Sequence, residues 1–376
     1  MTDLDSIYKG RREKIYDYLQ EQHISAAVFE DSEDRRDVSV RYFSGHPSDA
    51  LLILFADRRS YLVPWDENLA RQKAHADIVI PYTRYNRTNT IAVADVLKNF
   101  NGDANPCVAV SPHTPHVLYK KYTAELKGWS VQCKEKSVHD KVEELRAIKD
   151  EYEIACTRKA CSVTDAMTEC IIKNLKAGIF KTESDIALYA EKELRANGCE
   201  KTSFDTLAAG PERSFAIHAF PGYTNGDWGS NGLSILDYGV CYEGYASDCT
   251  ITVARGKLSA RQEQILSLVQ KAADECLELY KPGLSILEAA SHADKVFAES
   301  GLSMPHGLGH GTGLEIHEEP FVSRRADKEK KFQVGNIITL EPGLYDSELG
   351  GTRLENDVLI TPTGNEVLTH SKIFRL

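Results

Sequence analysis

The chain has 376 residues, and its 45 Lys+Arg against 56 Asp+Glu give a formal net charge of −11 that is spread along the sequence rather than gathered in a tail. This length points to two domains, each able to bury its own core, and the acidic balance excludes the basic face that nucleic acid requires. Apolar runs are too short to span a bilayer, Met1-Thr-Asp-Leu-Asp-Ser shows no basic-then-apolar leader, and nine cysteines without a CxxC pair read as reduced cytosolic thiols, not a disulfide frame or a zinc knuckle.

Residues 1–140 read as a first, smaller domain. A helix is expected over Ile7 to Gln22, with Ile15, Tyr18 and Leu19 on one stripe. Strand-like runs follow at Ala26 to Phe29, Ala50 to Phe55, Ser60 to Val63 and Val108 to Val110, with a helical pattern at Thr90 to Phe100. That alternation predicts an α/β layer structure. His113 and His116 flank Thr114-Pro115 and read as loop histidines. Nothing in this half forms a catalytic arrangement; shaping a cleft or making a subunit contact is its expected job.

Residues 141–376 read as the second domain. A charged segment from Lys134 to Asp150 leads into a helix from Asp150 to Lys176, where Ile154, Val163, Met167, Ile171 and Leu175 recur near the 3.6 period of a core-facing stripe. A second helix is expected from Thr182 to Asn197. The same grammar returns about a hundred residues on. Ser259-x-x-Gln262 and Ser285-x-x-Glu288 are capping boxes, in which a hydroxyl and an N3 side chain satisfy each other's orphan amides. The helices they open are expected to end at Lys281-Pro282 and at Ser300-Gly301. This repeat predicts an α+β domain of two helix pairs on a largely antiparallel sheet, with the site between its halves.

Chemistry gathers in three places. Leu233 to Val253 reads as a hairpin; a two-residue loop at Tyr242-Glu243 would set Asp237 directly opposite Asp248, about 5 Å apart, unless a bulge at Gly244 shifts the register by one. Two carboxylates would then share one face, and they repel unless a cation or proton lies between them. Glu341 and Glu355 are two further acids in strand-like sequence, odd choices for burial without a partner. The stretch from His306 to Pro320 packs three histidines, four glycines and three acids into fifteen positions. Its glycines permit close backbone approach, and a neutral imidazole binds divalent metal. Four carboxylates and one imidazole match the charge of two divalent cations, a known means of activating a water and polarising a carbonyl.

Leu236-Asp-Tyr-Gly, Gly244-Tyr-Ala-Ser-Asp248, the His306 to Glu318 stretch, Glu341-Pro-Gly-Leu-Tyr345 and Gly350-Gly-Thr-Arg-Leu-Glu355 together resemble the motifs of the pita-bread metallopeptidases, the family of methionine aminopeptidase, aminopeptidase P and prolidase. The resemblance runs from Leu145 to the C-terminus. The preceding domain has the size of the one in the creatinase and Xaa-Pro branch, so it implies a pita-bread fold behind a smaller α/β creatinase-like domain. It further implies a cytoplasmic homodimer that hydrolyses the Xaa-Pro bond of peptides or dipeptides with a hydroxide held between two divalent ions, Mn foremost, Co or Zn otherwise, with no nucleic acid or membrane partner. Asp237 would chelate one metal and His310 the other; Asp248 and Glu355 would bridge. Glu341 would bind the second metal and shuttle a proton. His218 would meet the substrate near its leaving nitrogen, His317 would stabilise the tetrahedral intermediate, and His306 and Arg353 would bind substrate, the latter gripping a carboxylate with its planar fork.

An imide nitrogen lacks the N–H that a general peptidase grips, and Phe215, Phe220 and Tyr245 are candidate walls for a proline ring. Three features depart from the family pattern. No arginine follows closely after Asp248, Asn356 stands where an Asp often follows the bridging Glu, and Cys241 and Cys249 lie near the site, with Cys249 expected to face away from the metals. The alternatives are a different C–N hydrolase, amidino or amide, on the same scaffold, and a catalytically inactive peptide-binding module, which such a complete ligand set disfavours.

Overall fold

A computed structural model describes residues 3–102 and 104–376; Met1 and Thr2, part of the start read for a leader, lie outside the described residues. The chain divides into two compact units, one ending at Leu145 and one spanning Arg146–Leu376. Among the described residues, no helix is long and apolar enough to cross a membrane.

In chain order the first unit contains α1 (Leu4–Glu21), β1 (Ala26–Asp31), α2 (Ser39–Ser44), β2 (Ala50–Phe55), β3 (Ser60–Pro64), α3 (Glu67–Lys73), β4 (Ile78–Val79), α4 (Asn89–Leu97), β5 (Cys107–Val110), α5 (His116–Glu125) and β6 (Ser130–Gln132), with α6 (Val138–Ala147) crossing into the second unit. The strands form one sheet in the order β4-β3-β2-β1-β5-β6. Strand β1 runs antiparallel to β2 and parallel to β5. The strand β2 is buried along its whole length, and its Leu51, Ile53 and Phe55 pack with Val93 and Val96 of α4. His116, expected in a loop, instead heads α5 directly after Pro115. Proline cannot continue a preceding ladder, and a helix can start behind it.

The second unit opens with α7 (Glu151–Lys176) and α8 (Glu183–Ala196), both started by capping boxes, at Asp150 and Thr182. Strands β7 (Lys201–Thr202), β8 (Leu207–Ala209), β9 (Gly232–Tyr238), β10 (Val240–Tyr242), β11 (Tyr245–Ala246) and β12 (Cys249–Arg255) follow. The second helix pair is α9 (Ala260–Leu277) and α10 (Ile286–Ala298), and after it come β13 (Gly309–Gly311), β14 (Glu318–Val322), β15 (Ile337–Leu340), β16 (Gly343–Asp346), β17 (Gly350–Arg353), β18 (Asn356–Thr361), β19 (Gly364–Val367) and β20 (Ile373–Arg375). Ser259 caps α9 with a full box, whereas Ser285 caps α10 through its own oxygen only. One core joins α7 and α8 to β9 and β12 through Val163, Ile171, Leu236 and Ile251. Another joins α9 and α10 to the later strands through Val269, Phe297, Leu308, Ile338 and Val358. Helix pairs thus cover sheets in both halves. Strand β12 pairs antiparallel with β9 on one side and parallel with β20 on the other.

The hairpin register differs from expectation. The turn is Glu243-Gly244, both at positive φ (47° and 85°), with Tyr242 paired to Tyr245. Asp237 therefore faces Thr250, not Asp248. The reason lies in turn chemistry. A tight two-residue hairpin turn wants positive φ at both central positions, which glycine supplies freely and tyrosine does not. The pairing moves by two positions, which preserves the alternation of faces. Gly239 adds a second constraint: a Cβ there would lie 1.8 Å from the carbonyl oxygen of Ser247, so only glycine lets the strands meet just before Asp248.

Candidate metal centre and substrate cleft

The five expected ligands arrive from strand ends of both halves. Asp237 lies in β9, Asp248 just ahead of β12, His310 in β13, Glu341 just past β15, and Glu355 between β17 and β18. Asp237, Asp248, His310 and Glu355 are all buried. Ligand atoms of Asp248, His310 and Glu355 lie within 4.8 Å of one another. His310 Nε2 is 3.7 Å from Asp248 Oδ2 and 3.7 Å from Glu341 Oε1. Backbone bonds hold these ends together: Glu355 N–H donates to Thr250 O at 3.0 Å, and Glu341 N–H to Leu308 O at 2.9 Å.

Electrostatics favour a cation or a proton among these acids. Burial, and then Glu355 and Asp237, push the Asp248 carboxyl well above the ordinary range. Burial and then Glu341 do the same to Glu355. Burial lifts Glu341 to about 8, although the Arg353 charge opposes it. Such shifts arise when like charges crowd a site that water cannot screen. Asp237 Oδ1 and Asp248 Oδ1 are buried without a hydrogen-bond partner. His310 pairs Nδ1 with the carbonyl of Gly311 at 3.0 Å, which leaves Nε2 facing the carboxylates. Burial lowers its pKa to about 4, so near neutral pH the imidazole has no proton to surrender to a metal. Orphaned oxygens, a fixed imidazole tautomer and an oxygen-rich donor set fit divalent cations.

The cluster opens into a cavity of about 810 Å³. His218, His306, His317 and Arg353 all line it. The rings of His310 and His317 lie 4.3 Å apart, and burial pulls the His317 pKa down. His306 is held at both nitrogens, by Gly307 O at 2.8 Å and Tyr345 Oη at 3.0 Å. Arg353, expected to grip substrate with its fork, is buried and engaged inside the protein. It donates to Asp237 Oδ2 at 2.6 Å, Tyr345 Oη at 2.6 Å, Thr250 Oγ1 at 2.9 Å and Ile217 O at 3.2 Å. Of the aromatics expected at the cleft, Phe220 lines it and is almost fully exposed. Phe215 is exposed but does not line it, and Tyr245 is buried and packs edge-on to Tyr152. Cys249 belongs to the core under α7 and α8.

Several residues that shape the centre do not stand out in the sequence. Thr250 Oγ1 donates to Glu355 Oε2 at 2.6 Å, and Asp357, fully buried, accepts the backbone N–H of Asp248 at 2.8 Å. For Asp357 the available signal is an acid inside the apolar run of β18. Glu318 sits next to His317 and takes Lys149 Nζ at 2.9 Å and Arg146 Nη2 at 2.5 Å. A charged residue following the last histidine of a Gly-rich loop gives no such hint, because its partners lie some 170 positions earlier.

Comparison with known proteins is consistent with this geometry. The family model for the Creatinase/Prolidase N-terminal domain matches residues 11–148, and the one for metallopeptidase family M24 matches residues 155–362. The chain is 30% identical over 368 residues to a Xaa-Pro dipeptidase of Pyrococcus furiosus, covering 97% of this chain and 99% of that one. The crystal structure of the prolidase from Pyrococcus horikoshii matches with TM-score 0.82 and 26% identity, over 97% of this chain and 99% of that one. A Xaa-Pro dipeptidase from Bacillus anthracis matches with TM-score 0.84 and 25% identity, over 98% and 100%. With the creatinase-type domain in front and the five carboxylate and imidazole positions behind, the chain belongs to metallopeptidase family M24.

Proposed function

We propose that this protein is a Xaa-Pro peptidase of the dipeptidase kind, working with two divalent ions, Mn foremost. The observation that carries the metal reading is the buried meeting of Asp248, His310 and Glu355 within 4.8 Å, with Asp248 Oδ1 left unpaired. Near-complete two-way coverage with the Pyrococcus furiosus Xaa-Pro dipeptidase supports the substrate class. Asp237, Asp248, His310, Glu341 and Glu355 would hold the ions, and bound there the ions would acidify a water and polarise the scissile carbonyl.

The remaining steps belong to side chains. Glu341, which bound cations would keep as a carboxylate, takes the proton of the attacking water and returns it to the leaving imide nitrogen. His317, kept neutral by burial, donates an N–H to the developing oxyanion. His218 meets the leaving side of the substrate, and His306, locked between Gly307 and Tyr345, presents a fixed edge to it. Arg353 acts through Asp237 and Tyr345. The exposed ring of Phe220 offers an apolar surface for a proline ring. Family resemblance extends the reading to a cytoplasmic homodimer, and the molar mass measured by light scattering would tell monomer from dimer.

The test is hydrolysis of a Xaa-Pro dipeptide and a Xaa-Pro-containing tripeptide by chelator-stripped protein with Mn²⁺ restored, alongside Glu341→Ala. Metal-dependent cleavage lost in the variant is expected, with the dipeptide turned over faster. A faster tripeptide would move the assignment to aminopeptidase P. Cleavage of neither would sink the proline reading and direct the search to other C–N bonds.

A further inference from the structure

The wall of the cleft that carries His218 is a long irregular segment, residues 210–226, and one buried carboxylate outside the ligand set gathers it. Glu183, in the first turn of α8, is 1% exposed. Its Oε1 accepts the Gly210 N–H at 2.8 Å, and its Oε2 accepts the Thr224 N–H and hydroxyl, each at 2.7 Å. Arg213 Nη1 completes the set with an ion pair to Oε2. The same guanidinium donates from Nη2 to the carbonyl of Pro221. Glu183 thus reaches both ends of the segment directly and its tip through Arg213.

Two further observations give this clamp a functional consequence. Among the described residues no hydrogen bond or ion pair involves the His218 ring, so its direction is set by the backbone that carries it, not by a partner. The nearest backbone tether is the Arg353 bond to Ile217 O at 3.2 Å, on one side only. The other side, Phe220 to Tyr223, lines the cavity; the Ala208 N–H donates to Gly222 O at 2.9 Å, and Arg213 and Thr224 hold the residues on either side of it. Close packing leaves little slack there: a Cβ on Gly222 would lie 2.6 Å from Thr206 O, and one on Gly210 2.2 Å from Asp227 O.

We propose that Glu183 is a positioning residue for the reaction, holding through Arg213 and Thr224 the segment that presents His218 and the apolar rim at Phe220. This rests on the reading of His218 as a substrate residue. Replacing one carboxylate oxygen by an amide nitrogen removes the counter-charge of Arg213 and turns one acceptor into a donor facing Gly210 or Thr224, and the segment relaxes away from the geometry that orients substrate.

The experiment is a double-mutant cycle on Xaa-Pro dipeptide hydrolysis with Glu183→Gln, His218→Ala and the pair, together with Mn²⁺ titration calorimetry of each. Glu183→Gln is expected to lower kcat/KM by about 10²-fold with Mn²⁺ affinity unchanged, and the double variant to be no slower than His218→Ala. Losses that multiply, a wild-type kcat/KM in Glu183→Gln, or Mn²⁺ affinity falling in step with activity would each overturn the proposal. Should Glu183→Gln fail to fold, Thr224→Val removes one donor from the same oxygen and is held to the same cycle. A wild type that cleaves no Xaa-Pro bond would instead overturn the functional reading, so the two failures are separable.

Discussion

Arg353 donates from Nη2 to Asp237 Oδ2 at 2.6 Å, deep enough that the guanidinium side chain is only 2% exposed. The bond occupies one oxygen of Asp237 and leaves Oδ1 without a partner. It also fixes Tyr345, whose hydroxyl reaches His306 at 3.0 Å. A single cation therefore orients an acid of the candidate metal centre and a histidine of the cleft. Breaking a buried pair by removing one partner costs about 3–5 kcal/mol. Arg353→Met should lose stability on that scale in denaturant titrations of metal-free protein. Arg353→Lys should recover part of it, because a point charge replaces the Asp237 contact but not the fork to Tyr345 and Thr250. Equal stability of Met and Lys variants would argue against this role.

Asp248 is one of several carboxylates forced together, and the nearby Arg353 pairs with Asp237 rather than with it. Asp248→Asn should therefore raise the Tm of chelator-treated protein by relieving repulsion. The same variant should lose the stabilisation that Mn²⁺ confers on wild type, about 2.7 kcal/mol at a hundredfold excess over Kd. Calorimetry with and without Mn²⁺ reads both effects, and a variant that still gains stability from Mn²⁺ would remove Asp248 from the ligand set.

Legibility in the sequence follows the range of the interaction. Helices α7 and α9 announce themselves, because a capping box and a 3.6-residue stripe are local signals. The partner of Asp237 lies two positions from the one expected, because the turn type depends on which residue accepts positive φ, and Gly244 takes the place expected for Tyr242. The face shared by Asp237 and Asp248 survives that difference, since a shift of two preserves alternation. Short elements such as α2 and α3 carry too few residues for periodicity to show. The engagement of Arg353 and the Glu183 and Glu318 clusters cannot be read at all. Each is a meeting of residues far apart in the chain, and a carboxylate in sequence looks the same whether it faces water or two buried cations.

Glu341 sets the neutral-pH behaviour of the metal-free protein. Its pKa is about 8 in the fold against an ordinary 4.5, so the folded state holds a proton that the unfolded chain releases earlier. Stability from this group is present in full below about pH 4.5 and is lost as pH rises toward 8. Asp248 and Glu355, also raised, act in the same direction. Chelator-treated wild type should lose Tm across this window, and Glu341→Gln should flatten the slope. An unchanged slope in the variant would assign the effect elsewhere.

Glu318 works in the opposite sense. Burial alone would raise its pKa, but the Arg146 and Lys149 charges outweigh burial and bring it to about 2, against an ordinary 4.5. A depressed carboxyl gives stability that is present above pH 4.5 and lost as pH falls toward 2. Glu318→Gln should remove this acid-side loss and cost about 3–5 kcal/mol at neutral pH by leaving Lys149 buried without its counter-charge, while Arg146 keeps only Glu315, at 2.7 Å. The adjacent loop is built around the carboxylate: a Cβ on Gly313 would lie 2.7 Å from both Glu318 oxygens, and the Glu315 N–H donates to Oε1 at 3.0 Å. Gly313→Ala should therefore push Glu318 off its partners and mimic Glu318→Gln in denaturant titrations. Because His317 directly precedes Glu318, both variants should also lower kcat more than they raise KM, and an intact kcat in either would separate the clamp from the placement of His317.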